Sequence, residues 1–153
     1  MKKIIRKLVL WLHPKSAAVL RAASNVRAGQ KDSEPLRIAM RFFMLSWNGV
    51  EECGEARTIE RKQLIERFYN DFSTPSSGFQ LALSCDRLLG GLIAAGQSGM
   101  VYVPSEDDRK AAKEKGINLY SEADSYMDSV RFLRLLRKAA LNPWLYSAVY
   151  SED

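Results

Sequence analysis

Leu36-Arg37-Ile38-Ala39-Met40-Arg41-Phe42-Phe43-Met44-Leu45-Ser46-Trp47, continuing to about Cys53, is the stretch on which the reading of this chain turns. Ile38, Phe42, Leu45 and Gly49 recur at helical spacing on one stripe, and Met40, Phe43, Met44 and Trp47 crowd its flank. An apolar surface that broad is more than one neighbour can cover, so it predicts a central, largely buried helix. Helices on either side must then supply the cover. Downstream, Thr58 stands where a helix cap is expected, and Leu64, Phe68 and Phe72 follow at i, i+4, i+8 beside Ile65 and Tyr69. The turn Ser73-Thr74-Pro75-Ser76-Ser77-Gly78 ends that helix. Phe79 to Ala95 carries the next, with Leu81, Cys85, Leu88 and Leu92 on one face. Gly90-Gly91 weakens it by about 1 kcal/mol per glycine relative to alanine, which points to close packing or an early end.

Farther on, Met100-Val101-Tyr102-Val103 lies between Gly99 and Pro104 and is the clearest strand signal, with Ile117-Asn118-Leu119-Tyr120 as its nearest partner. A charged helix, Glu106 to Lys115, separates the two. The last long helix starts at the capping-box-like Ser121-Glu122-Ala123-Asp124 and runs through Met127, Val130, Leu133 and Leu136 to Leu141, where Asn142-Pro143 stops it. Trp144, Leu145, Tyr146, Val149 and Tyr150 form an aromatic tail expected to fold back on the body. Upstream, Gln30 to Pro35 is polar and turn-forming and reads as a linker. Before it, residues 3–12 form an apolar-basic helix closed by His13-Pro14, and an alanine-rich helix spans about Ser16 to Arg27. The fold expected is all-α in a single domain, with a minor β-hairpin or short strand pair near residues 100–120. A basic amphipathic N-terminal arm, 1–30, is expected beside a helical globular domain, 36–153.

Charge divides at the same linker. The first thirty residues hold Lys2, Lys3, Arg6, Lys7, Lys15, Arg21 and Arg27 and no acid, so they sum to +7. That leaves 16 of the 23 Lys and Arg against all 18 Asp and Glu, so the remainder sums to −2. A basic segment interleaved with apolar residues is a footprint for an anionic surface, whether nucleic acid, membrane or an acidic protein. At 153 residues, 46% hydrophobic and 27% charged, the composition is that of an ordinary globular protein, without the apolar poverty of disorder. The apolar run Leu8 to Leu12 is too short to span a bilayer, which takes about twenty residues, or to form a signal-peptide core.

The chain shows no catalytic constellation. His13 is its one histidine and abuts a proline at a helix end, where a polar terminus role is the simple reading. Cys53 and Cys85 have no CxxC spacing and no neighbouring histidine, which excludes the usual zinc patterns and argues for reduced thiols. They read as small buried hydrophobes, with a disulfide between them the alternative. Glu51, Glu52 and Glu55, and again Asp107-Asp108, are acidic clusters without further ligands at ordered spacing, so solvated charge is the plain reading. No metal, cofactor or small-molecule substrate is expected. Gly91 to Ser98 meets the spacing of a GxxxxGK[ST] phosphate loop, but Gln97 replaces the lysine and a helix rather than a strand precedes it.

Three binding readings follow. Lys2, Lys3, Arg6 and Lys7 alternate with Ile4, Ile5, Leu8, Val9, Trp11 and Leu12, which suits an interfacial membrane helix, an organelle-targeting segment, or packing on the body. Arg131, Arg134 and Lys138 follow at i, i+3, i+7 on the last helix with Arg137 alongside, and with the basic front they suit a phosphate backbone. The order of helices around Pro75 to Gly78, with a hairpin at Gly96 to Val103, has the sequence of a winged helix, although its recognition helix offers only Gln80, Ser84, Asp86 and Arg87.

Trp47-Asn48-Gly49-Val50-Glu51 matches a WxxxE signature, and fifty positions later Ala94-Ala95-Gly96-Gln97-Ser98-Gly99 resembles the Gln-containing catalytic loop of bacterial WxxxE type III effectors. The resemblance covers these two short segments. It implies a mostly helical V-shaped fold and guanine-nucleotide exchange on host Rho-type GTPases, with Gln97 entering the switch cleft and Trp47 and Glu51 bracing the arms. The expectation that the residues favour most is a non-enzymatic bacterial or mobile-element protein that binds a macromolecular partner, in the manner of an inhibitor or adaptor. A protein partner leads, with nucleic acid and peripheral membrane contact through residues 2–12 as alternatives. The expected location is cytoplasmic, with the membrane periphery or delivery into a host cell without a cleaved signal as alternatives.

Overall fold

The computed structural model describes residues 2–26, 34–48, 55–99, 101, 105–117 and 121–150, with the side chains of 2, 34, 45–48, 55–61 and 121–123 outside that set. The described residues fold into helices α1 (Lys2–Leu12), α2 (Pro14–Ser24), α3 (Glu34–Asn48), α4 (Glu55–Ser73), α5 (Gly78–Gln97), α6 (Glu106–Glu114), α7 (Ser121–Ala140) and α8 (Pro143–Tyr150). The chain is all-α among these residues, and no strand occurs in them.

Helices α3, α5 and α7 pack on one another to form the centre, α4 lies against α5, α2 lies against α7 and α8, and α1 rests on α8. A single core runs through them, with Leu20, Phe42, Phe72, Leu81, Leu92, Leu133, Leu136 and Leu145 almost completely removed from solvent. Among the described residues of the basic first thirty, therefore, α2 contributes Ala17, Leu20 and Ala23 to the common core, and α1 packs at its edge through Val9 and Leu10. The linker proposed at Gln30 to Pro35 falls mostly outside the described residues.

Local chemistry explains the breaks. Pro14 cannot extend α1, yet its fixed φ suits the first turn of α2, so one residue ends one helix and starts the next. Ser77 accepts a hydrogen bond from the Gln80 amide and caps α5. Ser105 and Asp108 form a reciprocal capping box that begins α6. Asp107-Asp108 is thereby accounted for, since acids in a first turn also complement the helix dipole. Thr58 lies inside α4 rather than at its start.

The central helix is buried as its breadth implied, and of the expected stripe Phe42 is buried while Gly49 lies outside the described residues. Leu36, Ala39, Met40, Phe42 and Met44 are buried while Ile38 is only half-buried, and the side chain of Leu45 lies outside the described set. Gly91 resolves the question raised by the double glycine. A Cβ there would run into the Phe43 ring, so the missing side chain lets α3 and α5 approach, whereas one at Gly90 would meet open space. Helix α5 passes through both. Gly96 is held in the same way by Tyr126: a Cβ would come 2.7 Å from the hydroxyl. That hydroxyl donates to the Leu92 carbonyl at 2.7 Å, and the Tyr126 ring meets Phe42 edge-on at 5.2 Å.

The expected β-hairpin near 100–120 is not seen. Met100, residues 102–104 and residues 118–120 lie outside the described set. Of the rest, Val101 is a bend residue buried in the core, and the Ile117 amide donates to the Ala112 carbonyl, closing the end of α6 behind Gly116 at φ 70°. Ile117 is therefore part of a helix terminus, with its side chain exposed.

The aromatic tail becomes α8 and does fold back. Leu145 and Ala148 are buried, Tyr146 and Tyr150 stack with centroids 4.8 Å apart, and their hydroxyls donate to the carbonyls of Pro75 and Phe72. Trp144 is the exception and stands exposed.

Candidate anionic-surface interface

Helix α1 keeps its exposed apolar side chains apart from its cations. Ile4, Ile5, Leu8, Trp11 and Leu12 fall at i, i+1, i+4, i+7 and i+8, one continuous apolar face. Val9 and Leu10 are half-buried and attach the helix to the body. Lys3, Arg6 and Lys7 lie outside the apolar face, interleaved with Leu10, and are exposed. Lys7 lies three residues after Ile4 and four before Trp11, so its stem runs along the edge of the apolar face.

The apolar face is turned away from the core: Trp11 is 75% exposed, Ile4 71% and Leu8 52%. Of the apolar residues of this helix, Val9 and Leu10 pack on the body, and this face stays exposed. Isolated exposed hydrophobics are ordinary, but five on one helical face form a contiguous patch, which is the informative case. No acid among the described residues pairs with Lys3, Arg6 or Lys7. Lys2 begins the same helix, with its side chain outside the described set.

The second cationic surface is less available. On α7, Arg131 bonds Asp128 at 3.2 Å, and Arg137 bonds Asp86 of α5 at 2.7 Å. Arg134 and Lys138 are exposed beside them. Neutralisation of two of the four cations leaves this face a weaker attractor for phosphate than its sequence indicated. On α5, Arg87 lies 4.0 Å from Asp71, so the helix proposed for groove reading also has its cation beside an acid.

Other sequence candidates separate in space or in what is described. Ala94 to Gln97 forms the last turn of α5, with Gln97 exposed at its end, so this part of the resemblance to a catalytic loop is helical here. Trp47 is on α3, but its side chain and the whole of Glu51 lie outside the described residues. The same helicity removes the phosphate-loop reading of Gly91 to Ser98, which requires a loop of converging amides. No cluster of three metal-ligating side chains exists among the described residues. Cys85 is fully buried, and burial together with neighbouring Asp86 pushes its thiol up to about 12, so it is not a nucleophile at neutral pH. Cys53 lies outside the described set.

Cavities add little. The apolar slot between Met40, Phe43, Leu64, Phe68 and Leu88 has room, at about 30 Å³, for no more than a water. A polar cleft of about 400 Å³ between the end of α4 and the start of α5 is open to solvent and holds the Arg87–Asp71 pair.

The sequence offered both the cations and the apolar residues of α1, and the i, i+1, i+4, i+7, i+8 pattern places five of those apolar side chains on one side with no charge among them. No protein-family model, curated protein or solved structure matches this chain. No helix among the described residues is long and apolar enough to cross a membrane.

Proposed function

We propose that this protein is a non-enzymatic binding protein that works by seating α1 on an anionic macromolecular surface. The observation that carries the reading is the outward apolar face of α1 beside Lys3, Arg6 and Lys7, on a helix that packs against the body through Val9 and Leu10. Apolar contact supplies affinity, and the cations supply attraction and orientation. The remainder of the chain sums to −2, so the excess positive charge lies in the segment that contains α1. Inhibitor or adaptor action follows from occupancy alone.

Nucleic acid is a second reading, favoured by exposed Arg134 and Lys138 on α7 together with the α1 cations. Exchange-factor activity through Gln97 rests on the WxxxE resemblance, and the helical end of α5 lends it no catalytic loop.

The test is affinity capture at low salt by the tagged protein and by a variant with Leu8→Gln and Trp11→Gln. Material held by the wild type and lost from the variant supports docking through α1. Equal capture by both overturns it, and nuclease-sensitive capture by both moves the nucleic-acid reading forward.

A further inference from the structure

We infer that the surface bound by α1 is an anionic lipid bilayer, on which the helix lies in the plane of the interface with Ile4, Leu8, Trp11 and Leu12 inserted and Lys3 and Lys7 at the headgroups; this rests on the proposal that α1 is the docking element. The chemistry of the face separates lipid from the other anionic partners. A nucleic-acid backbone takes cations but leaves five apolar side chains in water, because they occupy a different sector from Lys3, Arg6 and Lys7. A protein groove takes a narrow row of anchors at i, i+3 or i+4, and i+7. Here the exposed face also includes Ile5 and Leu12, so that it spans about a third of the helix circumference and is broader than such a row. A bilayer accepts such a face whole.

Charge complementarity selects anionic lipid over neutral lipid. Seven basic residues and no acid lie in the first thirty positions, and the α1 cations have no carboxylate partner among the described residues. A lysine stem buries its methylenes against the acyl boundary while the ammonium reaches phosphate, and a tryptophan ring suits the same depth. Eleven residues give about 16 Å of helix, too short to cross the hydrocarbon but ample to lie along its edge. Interfacial helices are marked by a strong apolar face, a cationic flank and low net hydrophobicity, and α1 has all three.

The experiment is co-sedimentation of the full chain with vesicles of phosphatidylcholine alone and of phosphatidylcholine mixed with phosphatidylglycerol. Binding to the mixed vesicles, weaker on phosphatidylcholine and reduced by salt, is expected. Lys3→Gln and Lys7→Gln each lower the partition constant by about fivefold. Leu8→Gln with Trp11→Gln lowers it by at least about tenfold while helicity and the unfolding midpoint stay unchanged, since both side chains are exposed. Failure of the folded wild type to bind mixed vesicles overturns the lipid assignment. If α1-dependent capture of a protein or nucleic acid persists in that case, the docking role of α1 stands and only its partner changes. Absence of any α1-dependent partner removes both.

Discussion

Gly90 and Gly91 provide a matched test of the packing described for α3 and α5. Both lie within one helix, so alanine at either position gains the same helix propensity, about 1 kcal/mol. They differ in what the new methyl meets: nothing within 4 Å at Gly90, and the Phe43 ring at Gly91. Gly90→Ala is therefore expected to stabilise by close to the full propensity gain. For a chain of this length that raises the midpoint by about 2–4 °C. Gly91→Ala must displace a half-buried ring wedged between two central helices, an overpacking cost of about 1–3 kcal/mol. Because propensity cancels between the two variants, the difference in unfolding free energy isolates that steric cost. Urea titration followed by circular dichroism at constant m-value reads it directly. Adding Phe43→Ala to Gly91→Ala should relieve the clash and bring the pair together, apart from the cavity shared by both backgrounds. Equal stabilisation by Gly90→Ala and Gly91→Ala would refute the close approach of α3 and α5.

Three further outcomes follow from single contacts. Tyr126→Phe removes the 2.7 Å hydrogen bond to the Leu92 carbonyl and should cost about 1–2 kcal/mol in the same assay, with no cavity to add to it. Ser105→Ala removes the cap of α6 and should cost about 1 kcal/mol, visible as faster amide exchange in the first turn of that helix. The raised thiol of Cys85 makes stability fall in alkali: the unfolded thiol ionises near 9 while the folded one keeps its proton to about 12, so stability present below pH 9 is lost as pH rises across that window. Burial shifts Tyr150 in the same direction, and a pH series of urea midpoints that is flat from 9 upward would contradict both.

Much of the helical order was legible because it rests on local chemistry. Pro14, Asn142-Pro143 and the turn before Gly78 each act through φ or a missing amide hydrogen, and those effects survive any tertiary context. The stripe on α3 was legible at Phe42 but not at Ile38, which is only half-buried. A helix apolar on most sides contains several equally good periodicities, and only the positions of α5 and α7 choose Leu36, Ala39 and Met40 over Ile38. The strand expected at Met100 to Val103 is not seen, and Val101, the residue of that stretch that is described, is a bend residue buried in the core. Valine marks a residue suited to burial as much as to a sheet.

The candidate site divides in the same way. Cations announce themselves by composition, so the basic arc of α1 was evident, but whether its apolar side faced core or solvent depended on how α1 meets α8. Attachment through Val9 and Leu10 leaves Trp11 outside. On α7 the reverse occurred, because Asp86, which neutralises Arg137, is remote in sequence and adjacent only in the fold.

The most direct test of the account is the emission of Trp11 on titration with phosphatidylglycerol-containing vesicles, compared with Trp11→Phe. Insertion of the apolar face of α1 predicts a shift of emission to shorter wavelength, most of which disappears in the variant. No shift, or an equal shift in Trp11→Phe, would contradict the claim that this face is where the protein docks.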